Sequence, residues 1–503
     1  MSTEQLPEWL GQRAALTPGH LAVLAADGQW SYRELDERAE GAAQQLRALG
    51  VQPGDRVALL AENSAAYAAL VHAIPRAGGV LVPLNLRLTI SELATQLLAR
   101  RVRLLIHSER ETARARAVAA QGGQPGCTGL EALVAQRVAS PGVRPVELAR
   151  VHSIIATSGT TGQPKGVLLT VGNLTWSAIG SVLALGVGPR DRWLACLPFF
   201  HIGGLAILVR AALAGFPVVI HARFDPAAVN AALDEQQVSL LSVVATMLER
   251  LLEVRGERPF PASLRCVLLG GGPVPPALLE TCARRAVPVV QTYGLTEAAS
   301  QVTTLLPEEA GRTGGSAGKP LFPTEVRIVD AYSAPLPAGT LGEIAVRGPT
   351  VSPGYDGEPP PERPGGWLRT GDLGWLDEEG YLYVSDRRDD LIVSGGENIS
   401  PAEVEAVIRQ HPAVAEVAVV GVRDPVWGQQ VVAVVVPAPG QPFQPDALLR
   451  HCRARLAGYK VPRQVVVCTE LPRTASGKVQ RGRLRTWLEG EAVPPGESGR
   501  LSS

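Results

Sequence analysis

Short runs of apolar residues recur along most of this chain, and stretches with a helical spacing of polar and apolar positions lie between them. The apolar runs are Arg56–Leu60, Val80–Leu84, Arg103–His107, Ser153–Ala156, Pro217–His221, Leu240–Ala245, Arg265–Leu269 and Pro288–Gln291. The helical stretches include Tyr32–Leu49, Ser64–Ala77, Ile90–Ala99 and Pro226–Gln236. Nearly continuous apolar strands that alternate with helices are typical of parallel sheets covered on both faces. The pattern therefore predicts an α/β fold whose large N-terminal domain is built on mainly parallel sheets.

The pattern changes after about residue 320. Strand-like runs at Val326–Val329, Gly342–Arg347 and Tyr381–Val384 are separated by turn-rich segments, which predicts a small β-barrel. Beyond the charged run Asp386–Asp390, an amphipathic helix and two strands predict a smaller α+β domain. Those elements are Pro401–Gln410, Val414–Val420 and Gln430–Val436. We therefore divide the chain into residues 1–386, residues 387–490 and a tail, residues 491–503, that we expect to be disordered.

Composition narrows the class of protein. The 503 residues carry no net charge at pH 7 and 46% of them are hydrophobic, which fits a globular enzyme and not a nucleic-acid or membrane-surface protein. Six cysteines without paired spacing argue against a zinc site and a disulfide scaffold. The apolar stretch Leu194–Ala222 contains prolines, glycines, His201 and Arg210, so we interpret it as strand, turn and helix instead of a membrane span. Without a signal-peptide pattern, we expect a cytoplasmic monomer or homo-oligomer.

One polar segment indicates phosphate chemistry. The run from Thr157 to Gly166 contains three glycines, four hydroxyl side chains and one lysine, and it follows an apolar run. Glycines let backbone N–H groups approach a polyphosphate, hydroxyls donate to its oxygens, and the lysine supplies a positive charge. The spacing matches neither a Walker loop nor a dinucleotide fingerprint, and the alternative is a Gly-rich turn between strand and helix. The candidate nucleotide-binding residues here are Thr157, Ser158, Gly159, Thr160, Thr161, Gly162 and Lys165.

Four more segments complete an ordered set of motifs. They are Tyr293–Glu297, Thr370–Asp372, the stretch from Asp386 to Asn398, and Pro472–Lys478. Together with the glycine-rich segment they resemble the adenylate-forming superfamily of acyl-CoA synthetases, peptide-synthetase adenylation domains and luciferases, from about Leu6 to Trp487. The resemblance implies an enzyme that joins a carboxylic acid to ATP with release of pyrophosphate. It also implies transfer of the acyl group to CoA and a mobile C-terminal domain.

The resemblance assigns a role to each motif. Lys478 would bridge the carboxylate and the α-phosphate, Thr296 would donate to the α-phosphate, and Glu297 would bind Mg²⁺. Besides the glycine-rich segment, the expected ATP contacts are Gly271, Gly272, Tyr293, Gly294, Asp372 and Arg387. Asp389 matches the hinge of the mobile domain, and Gly395 and Gly396 would pass close to the pantetheine arm of CoA. The expected contacts to the acid are His201, Gly270, Ser300 and Gln301.

Taken alone, several of these residues have simpler interpretations. Tyr293 could be a core aromatic, Arg387 could belong to a surface ion pair, and His201 could be a core histidine with its hydrogen bonds satisfied. Lys478 could be one more lysine of a basic tail. The motif context favours the functional interpretation in each case.

Three segments indicate the acid. Phe199–Arg210, Thr296–Gln301 and Gly315–Leu321 resemble the corresponding segments of 2-succinylbenzoate–CoA ligases of menaquinone biosynthesis. Those enzymes often carry Thr where this chain has Ala298. The substrate has two carboxylates, only one of which reacts, so Ser300 and Gln301 are candidate donors for the other. The alternatives are another aryl- or medium-chain acyl-CoA ligase, a carrier-loading adenylation domain, and a protein that binds acyl groups or nucleotides without catalysis.

Overall fold

The structure is a computed structural model that describes residues 4–157, 165–272, 274–309, 315–387, 391–472 and 479–490. The described residues divide into two compact units. The described residues of Met1–Leu86, Leu97–Ala156 and Gly166–Ser385 form the first, and those of Arg87–Gln96, Thr157–Lys165 and Asp386–Ser503 form the second. The domain limits that we expect from the sequence stay a prediction. None of the helices in the described ranges is long and apolar enough to cross a membrane.

Two large sheets form the centre of the first unit. The six-stranded sheet runs in the order Lys165–Thr170, Val151–Thr157, Val80–Pro83, Arg56–Leu60, Val102–His107 and Gly126–Gly129. The nine-stranded sheet runs in the order Lys319–Pro320, Ser300–Thr304, Val289–Leu295, Cys266–Leu269, Leu240–Val243, Trp193–Ala195, Val218–Ile220, Leu21–Ala25 and Gly28–Ser31. The inner strands of the larger sheet are parallel, and its outer pairs are antiparallel. The prediction of mainly parallel α/β sheets is confirmed.

Helices cover these sheets. They are Trp9–Leu16, Tyr32–Ala48, Ala65–Ala77, Thr112–Gln121, Leu130–Ala135, Val171–Leu185, Ile202–Ala214, Pro226–Glu235, Ala245–Arg255 and Pro276–Arg284. A further helix, Ile90–Ala99, has its residues up to Gln96 in the second unit. Short 3₁₀ turns occur at Glu109–Glu111, Thr296–Ala298, Pro307–Glu309 and Pro364–Gly366. Local sequence fixes several helix ends: Ser31 and Glu34 form a capping box at the start of Tyr32–Ala48, and Gly78 ends Ala65–Ala77 in the left-handed conformation.

Smaller sheets complete the first unit. Gln5–Pro7 pairs with Pro145–Glu147, and a four-stranded sheet runs in the order Glu325–Val329, Gly342–Arg347, Leu368–Leu376 and Leu382–Arg387. Pairings in the described part of the chain leave the four-stranded sheet open, with no bond between its edge strands, where the sequence predicts a small barrel.

The second unit has its own sheet and core. Its strands are Ile392–Ser394, Glu397–Ile399, Val414–Asp424, Gly428–Pro437 and Gln464–Val467. Its helices are Pro401–Ile408, Pro445–Arg453 and Arg481–Leu488, with a 3₁₀ turn at Gly458–Lys460. Alternate residues of the two long strands are buried in one apolar cluster with the first two of these helices, as a strand period of two requires. Those strand residues are Val417, Val419, Val431, Ala433 and Val435.

Candidate active site

The structure brings two of the predicted ATP residues together. The Tyr293 hydroxyl donates a hydrogen bond of 2.7 Å to Oδ2 of Asp372, and both side chains are buried. Asp372 follows Gly371, which has a φ of +79°, and its backbone N–H donates to Thr370 Oγ1 at 3.1 Å. The Tyr293 ring also belongs to a cluster with Ile344. The tyrosine is therefore a core aromatic, and its hydroxyl also orients the carboxylate that we expect at the ribose.

Glycines in this region are required by close backbone contacts. A Cβ atom at Gly270 would lie 2.7 Å from Thr292 Cγ2, and one at Gly294 would lie 1.8 Å from the carbonyl oxygen of Ser300. Gly271 has a φ of +82°, a left-handed conformation that suits glycine. Gly270 and Gly271 follow directly on the strand Cys266–Leu269. Ligands of open parallel α/β sheets commonly bind beyond the carboxyl ends of strands, where this turn lies. Its contact with a nucleotide or acyl group stays a prediction.

A strained turn presents the predicted magnesium ligand. Thr296–Ala298 is a 3₁₀ turn, after which Ala299 and Ser300 have φ values of +55° and +112°. Such angles are unfavourable for residues with a Cβ atom, and they cluster at functional sites. The Glu297 carbonyl accepts from the Ser352 backbone N–H at 2.8 Å.

The Glu297 carboxylate has a hydrogen-bond partner, Tyr355, that the sequence does not predict. The Tyr355 hydroxyl donates to Glu297 Oε1 at 3.2 Å. Burial, together with the negative charge of Glu297, raises the pKa of Tyr355, so the phenol remains a donor at neutral pH. Tyr355 also forms a bridge with Val167, on the strand that follows the glycine-rich segment. Its position in a Pro- and Gly-rich loop carries no pattern from which this contact could be predicted.

The donors present suit a magnesium ion that arrives with a nucleotide. Across the described ranges, no group of three or more His, Cys, Asp or Glu side chains could hold a metal. Mg²⁺ is commonly held by one or two carboxylates together with substrate phosphates, so a single carboxylate such as Glu297 fits that mode.

His201 lies at the start of the helix Ile202–Ala214, where its carbonyl accepts from the Leu205 N–H at 3.0 Å. Its ring lies 4.7 Å from the ring of Phe200, measured between centroids. The loop before it is held by buried Asn63, whose Oδ1 accepts from the Phe199 N–H at 2.9 Å and whose amide donates to the Leu197 carbonyl at 2.9 Å. Asn63 therefore holds the backbone of the loop that leads to His201, and nothing in the sequence indicates this role.

A buried arginine lies beside the predicted acid contacts. Arg210 is 1% exposed, and its Nη2 donates to Ser300 Oγ at 3.1 Å. Among the residues that the structure describes, no carboxylate pairs with it, and burial lowers the pKa of Arg210 to about 10. Its guanidinium carbon lies 5.4 Å from the centroid of the Trp193 ring. A desolvated cation without an anion is costly, so a ligand carboxylate would suit it.

Gln301, a predicted contact to the acid, bonds to two protein side chains. Its Oε1 accepts from Ser181 at 2.6 Å, and its Nε2 donates to Thr304 Oγ1 at 2.8 Å. Both ends of the amide are thus engaged within the protein. Arg210 and Ser300 are better placed to meet a ligand, and Arg210 was not among the predicted contacts to the acid.

In the second unit, Gly395 and Gly396 form a tight turn. They join the antiparallel strands Ile392–Ser394 and Glu397–Ile399 and have φ values of +57° and +84°. Two left-handed residues in a two-residue hairpin loop define a type I′ turn, which favours Gly-Gly. A Cβ atom at Gly395 would lie 2.8 Å from the ring of Trp427, and Arg463 lies over that ring at 4.5 Å. The turn therefore borders a partly exposed aromatic ring and a cation.

Several predicted site residues lie outside the described residues. They are Ser158, Gly159, Thr160, Thr161, Gly162, Asp389 and Lys478. The side chain of Arg387 also lies outside them. Thr157 and Lys165 end and begin the flanking strands. Gly272 lies in the described turn after Gly271.

The chain matches known proteins over nearly its whole length. Residues 10–356 match the AMP-binding enzyme family, and residues 403–478 match the AMP-binding enzyme C-terminal domain. The 2-succinylbenzoate–CoA ligase of Bacillus cereus (strain ATCC 10987 / NRS 248) is 43% identical over 489 residues, which cover 97% of this chain and 99% of that relative.

Two solved structures of o-succinylbenzoate CoA synthetase (MenE) from Bacillus subtilis are similar to this chain. A double mutant bound with the product analogue OSB-NCoA has a TM-score of 0.88 and 40% identity, and the match covers 96% of this chain and 99% of that one. The complex with ATP and magnesium ion has a TM-score of 0.71 and 40% identity, over 96% of this chain and 100% of the other.

Proposed function

This chain belongs to the AMP-binding enzyme family, and we propose that it is an ATP-dependent acid–CoA ligase that acts on 2-succinylbenzoate in menaquinone biosynthesis. We choose this acid because of Arg210. It is a buried cation beside Ser300, and no carboxylate of the described structure pairs with it. The relatives named above support the same substrate.

The first half-reaction forms the acyl-adenylate. A carboxylate oxygen of the acid bonds to the α-phosphorus of ATP, the bond from that phosphorus to the bridging oxygen breaks, and pyrophosphate leaves. Thr296 donates to the α-phosphate, and Lys478 neutralises charge on the carboxylate and phosphate oxygens as they meet. Mg²⁺ bound with the triphosphate would neutralise phosphate charge, with Glu297 as its ligand and Tyr355 holding that carboxylate.

Other residues hold the ribose, the base and the outer phosphates of ATP. Asp372 accepts from the ribose hydroxyls, in an orientation that the Tyr293 hydroxyl maintains. Arg387 donates to the same sugar. Gly271, Gly272 and their neighbours let the backbone approach the base and the acyl group. The segment from Thr157 to Lys165 holds the β- and γ-phosphates.

The second half-reaction forms the thioester. The CoA sulfur, after losing its proton, bonds to the acyl carbon, the bond from that carbon to the AMP oxygen breaks, and AMP leaves. The turn Gly395–Gly396 admits the pantetheine arm, and Asp389 is the hinge of the mobile domain. Trp427 and Arg463 offer an aromatic face and a cation to the nucleotide end of CoA.

The acid is oriented at both ends. His201 and Gly270 lie near the carboxylate that reacts, and Arg210 with Ser300 receives the one that does not. A guanidinium binds a carboxylate through two parallel hydrogen bonds, which adds geometric selectivity to charge. We further propose a cytoplasmic enzyme whose partners are its small-molecule substrates, ATP, the acid and CoA, and which acts as a monomer or homo-oligomer.

A coupled pyrophosphate-release assay with ATP, Mg²⁺ and CoA tests the proposal. The acids compared are 2-succinylbenzoate, benzoate, 4-coumarate, octanoate and acetate. Strong preference for 2-succinylbenzoate with a CoA thioester as product is the expected result. Preference for another acid would make this a different acyl-CoA ligase, and no turnover of any of the five acids would favour carrier loading or simple binding.

A further inference from the structure

A cation lies close to the carboxylate that we propose as the magnesium ligand. Arg363 is partly buried in the loop between the strands Gly342–Arg347 and Leu368–Leu376. Its guanidinium interacts electrostatically with Glu297 and with Tyr355. Tyr355 is also the residue whose hydroxyl donates to Glu297 Oε1 at 3.2 Å. A carboxylate, a phenol and a guanidinium therefore lie together in the first unit.

The backbone of this loop fixes the position of the guanidinium. Arg363 Nη1 donates to the carbonyl of Ser352. The backbone N–H of the same serine donates to the carbonyl of Glu297 at 2.8 Å. Two residues further on, the Gly354 carbonyl accepts from the Leu168 N–H at 3.0 Å, which ties the loop to the six-stranded sheet. The two peptide groups of Ser352 thus connect Arg363 to the turn that carries Glu297, and they hold the guanidinium beside the carboxylate.

The guanidinium of Arg363 can still donate to a ligand. Its Nε is buried without a hydrogen-bond partner, and its Nη2 donates to none of the groups that the structure describes. Burial lowers the pKa of Arg363, because the charged form loses water, while the charge of Glu297 acts in the opposite direction. A magnesium ion bound to Glu297 would neutralise that charge. The partly desolvated guanidinium would then need another anion to offset its lost hydration.

We propose that Arg363 binds the outer phosphates of ATP and the pyrophosphate that they become. Hydrogen bonds between a guanidinium and phosphate oxygens are charge-assisted and strong. When the bond from the α-phosphorus to the bridging oxygen breaks, its electron pair stays on that oxygen, and the leaving pyrophosphate gains negative charge. A cation already placed beside the leaving group stabilises this charge. The inference rests on the ATP-dependent function and on the role of Glu297 proposed above.

Equilibrium binding tests this contact without turnover. Calorimetric titrations with ATP, inorganic pyrophosphate and AMP are made on the full chain, each once with Mg²⁺ and once with EDTA. Arg363→Met should weaken the binding of ATP and of pyrophosphate by about ten- to a hundredfold under both conditions. The binding of AMP should not change, because AMP lacks the outer phosphates. Arg363→Lys keeps the charge without the planar fork of the guanidinium, and it should recover part of the loss.

A second arginine of the same loop region is the control. Arg347 donates to the Gly365 carbonyl at 3.4 Å and is paired with exposed Glu325 at 2.6 Å, so Arg347→Met should leave all three ligands unaffected.

Three results would overturn the phosphate contact while the proposed function stands. They are wild-type affinities in Arg363→Met, an equal loss for AMP, and a loss that appears only with Mg²⁺ or equally in Arg347→Met. If the wild-type protein binds neither ATP nor pyrophosphate, the proposed function falls together with this inference. Should Arg363→Met fail to fold, Arg363→Gln is titrated in the same way.

Discussion

Replacing Arg210 by methionine should separate substrate recognition from stability. Methionine has a similar length and no charge, so Arg210→Met removes the buried cation and its bond to Ser300 Oγ without leaving a large cavity. A hydrogen bond to a charged group contributes about 1.5–3 kcal/mol. Since about 1.4 kcal/mol corresponds to a factor of ten, we expect kcat/KM for 2-succinylbenzoate to fall by about ten- to a hundredfold.

The comparison acid is 4-oxo-4-phenylbutanoate, which keeps the reacting succinyl arm and lacks the carboxylate on the ring. Wild-type enzyme should use it poorly, because Arg210 would remain buried without an anion. In Arg210→Met its kcat/KM should be unchanged or higher. The assay is pyrophosphate release with each acid, and the informative quantity is the ratio of the two kcat/KM values.

The Arg210→Met variant should be more stable than the wild type, although its kcat/KM for 2-succinylbenzoate falls. Burial lowers the pKa of Arg210 to about 10, well below its ordinary value, so the charged form is disfavoured in the folded protein. At about 1.4 kcal/mol per pKa unit, the variant should gain up to about 3 kcal/mol in free energy of unfolding, less about 1.5 kcal/mol for the lost bond to Ser300, the lower end of the range for a charged group. Thermal unfolding of the protein without ligands measures this, and the midpoint should rise.

A second buried arginine provides the control. Arg255 is 3% exposed and is paired with Asp234 at 2.6 Å. Arg255→Met removes this ion pair and leaves buried Asn230 Oδ1 without the hydrogen bond from Arg255, while Asp234 keeps Arg258 at 3.3 Å. The variant should therefore lose about 1–3 kcal/mol of stability, with no change in the ratio between the two acids. The reasoning is refuted if Arg210→Met slows both acids equally, or if it destabilises the protein as Arg255→Met does.

Other sites give independent predictions. Lys478→Ala should abolish adenylation and spare CoA attack on supplied acyl-adenylate, whereas Gly396→Val should do the reverse; equal loss of both half-reactions in either variant would contradict its role. Trp427→Ala and Arg463→Ala should raise the KM for CoA several-fold and leave pyrophosphate exchange unchanged, and a change in the KM for ATP instead would contradict the CoA contact. Burial lowers the pKa of His72 to about 4, against about 6.5 when unfolded, so the stability it contributes is complete above about pH 6.5 and is lost as the pH falls toward 4. His72→Gln should therefore flatten the loss of unfolding free energy over that range in denaturant titrations, and an unchanged slope would contradict this assignment.

The sequence predicted the fold well because burial on both faces leaves a strong pattern. The stretch Leu194–Ala222 was interpreted as strand, turn and helix. It begins inside the strand Trp193–Ala195 and contains the helix Ile202–Ala214 and the strand Val218–Ile220. The predicted ends of strands were less accurate where polar residues continue a strand beyond its apolar run. The run Pro288–Gln291 belongs to the strand Val289–Leu295, which extends through Tyr293 to the turn that carries Glu297.

Side-chain partners were harder to predict than elements. The sequence indicated Gln301 as a contact to the acid, and it did not indicate Ser181 and Thr304 as hydrogen-bond partners of the Gln301 amide. The role of Tyr355 was not predicted, because its partner Glu297 is distant in sequence and the loop that contains Tyr355 has no regular spacing of polar and apolar residues. Motifs identify the residues that a reaction needs, whereas the residues that orient them depend on contacts across the fold.

Two unfavourable features of the first unit meet at one residue. Ser300 has a φ of +112° and follows Ala299 at +55°, and its hydroxyl is bonded to the buried, desolvated Arg210. Each feature lowers the stability of the folded protein, and a single substitution could remove it. Glycine in place of Ser300 would suit the backbone better, and an apolar side chain in place of Arg210 would suit its buried surroundings better. Proteins retain such conflicts mainly where function requires them. A carboxylate bound at this point would remove the larger conflict by pairing with the guanidinium, so the free protein should be stabilised by 2-succinylbenzoate more than by an acid without the second carboxylate.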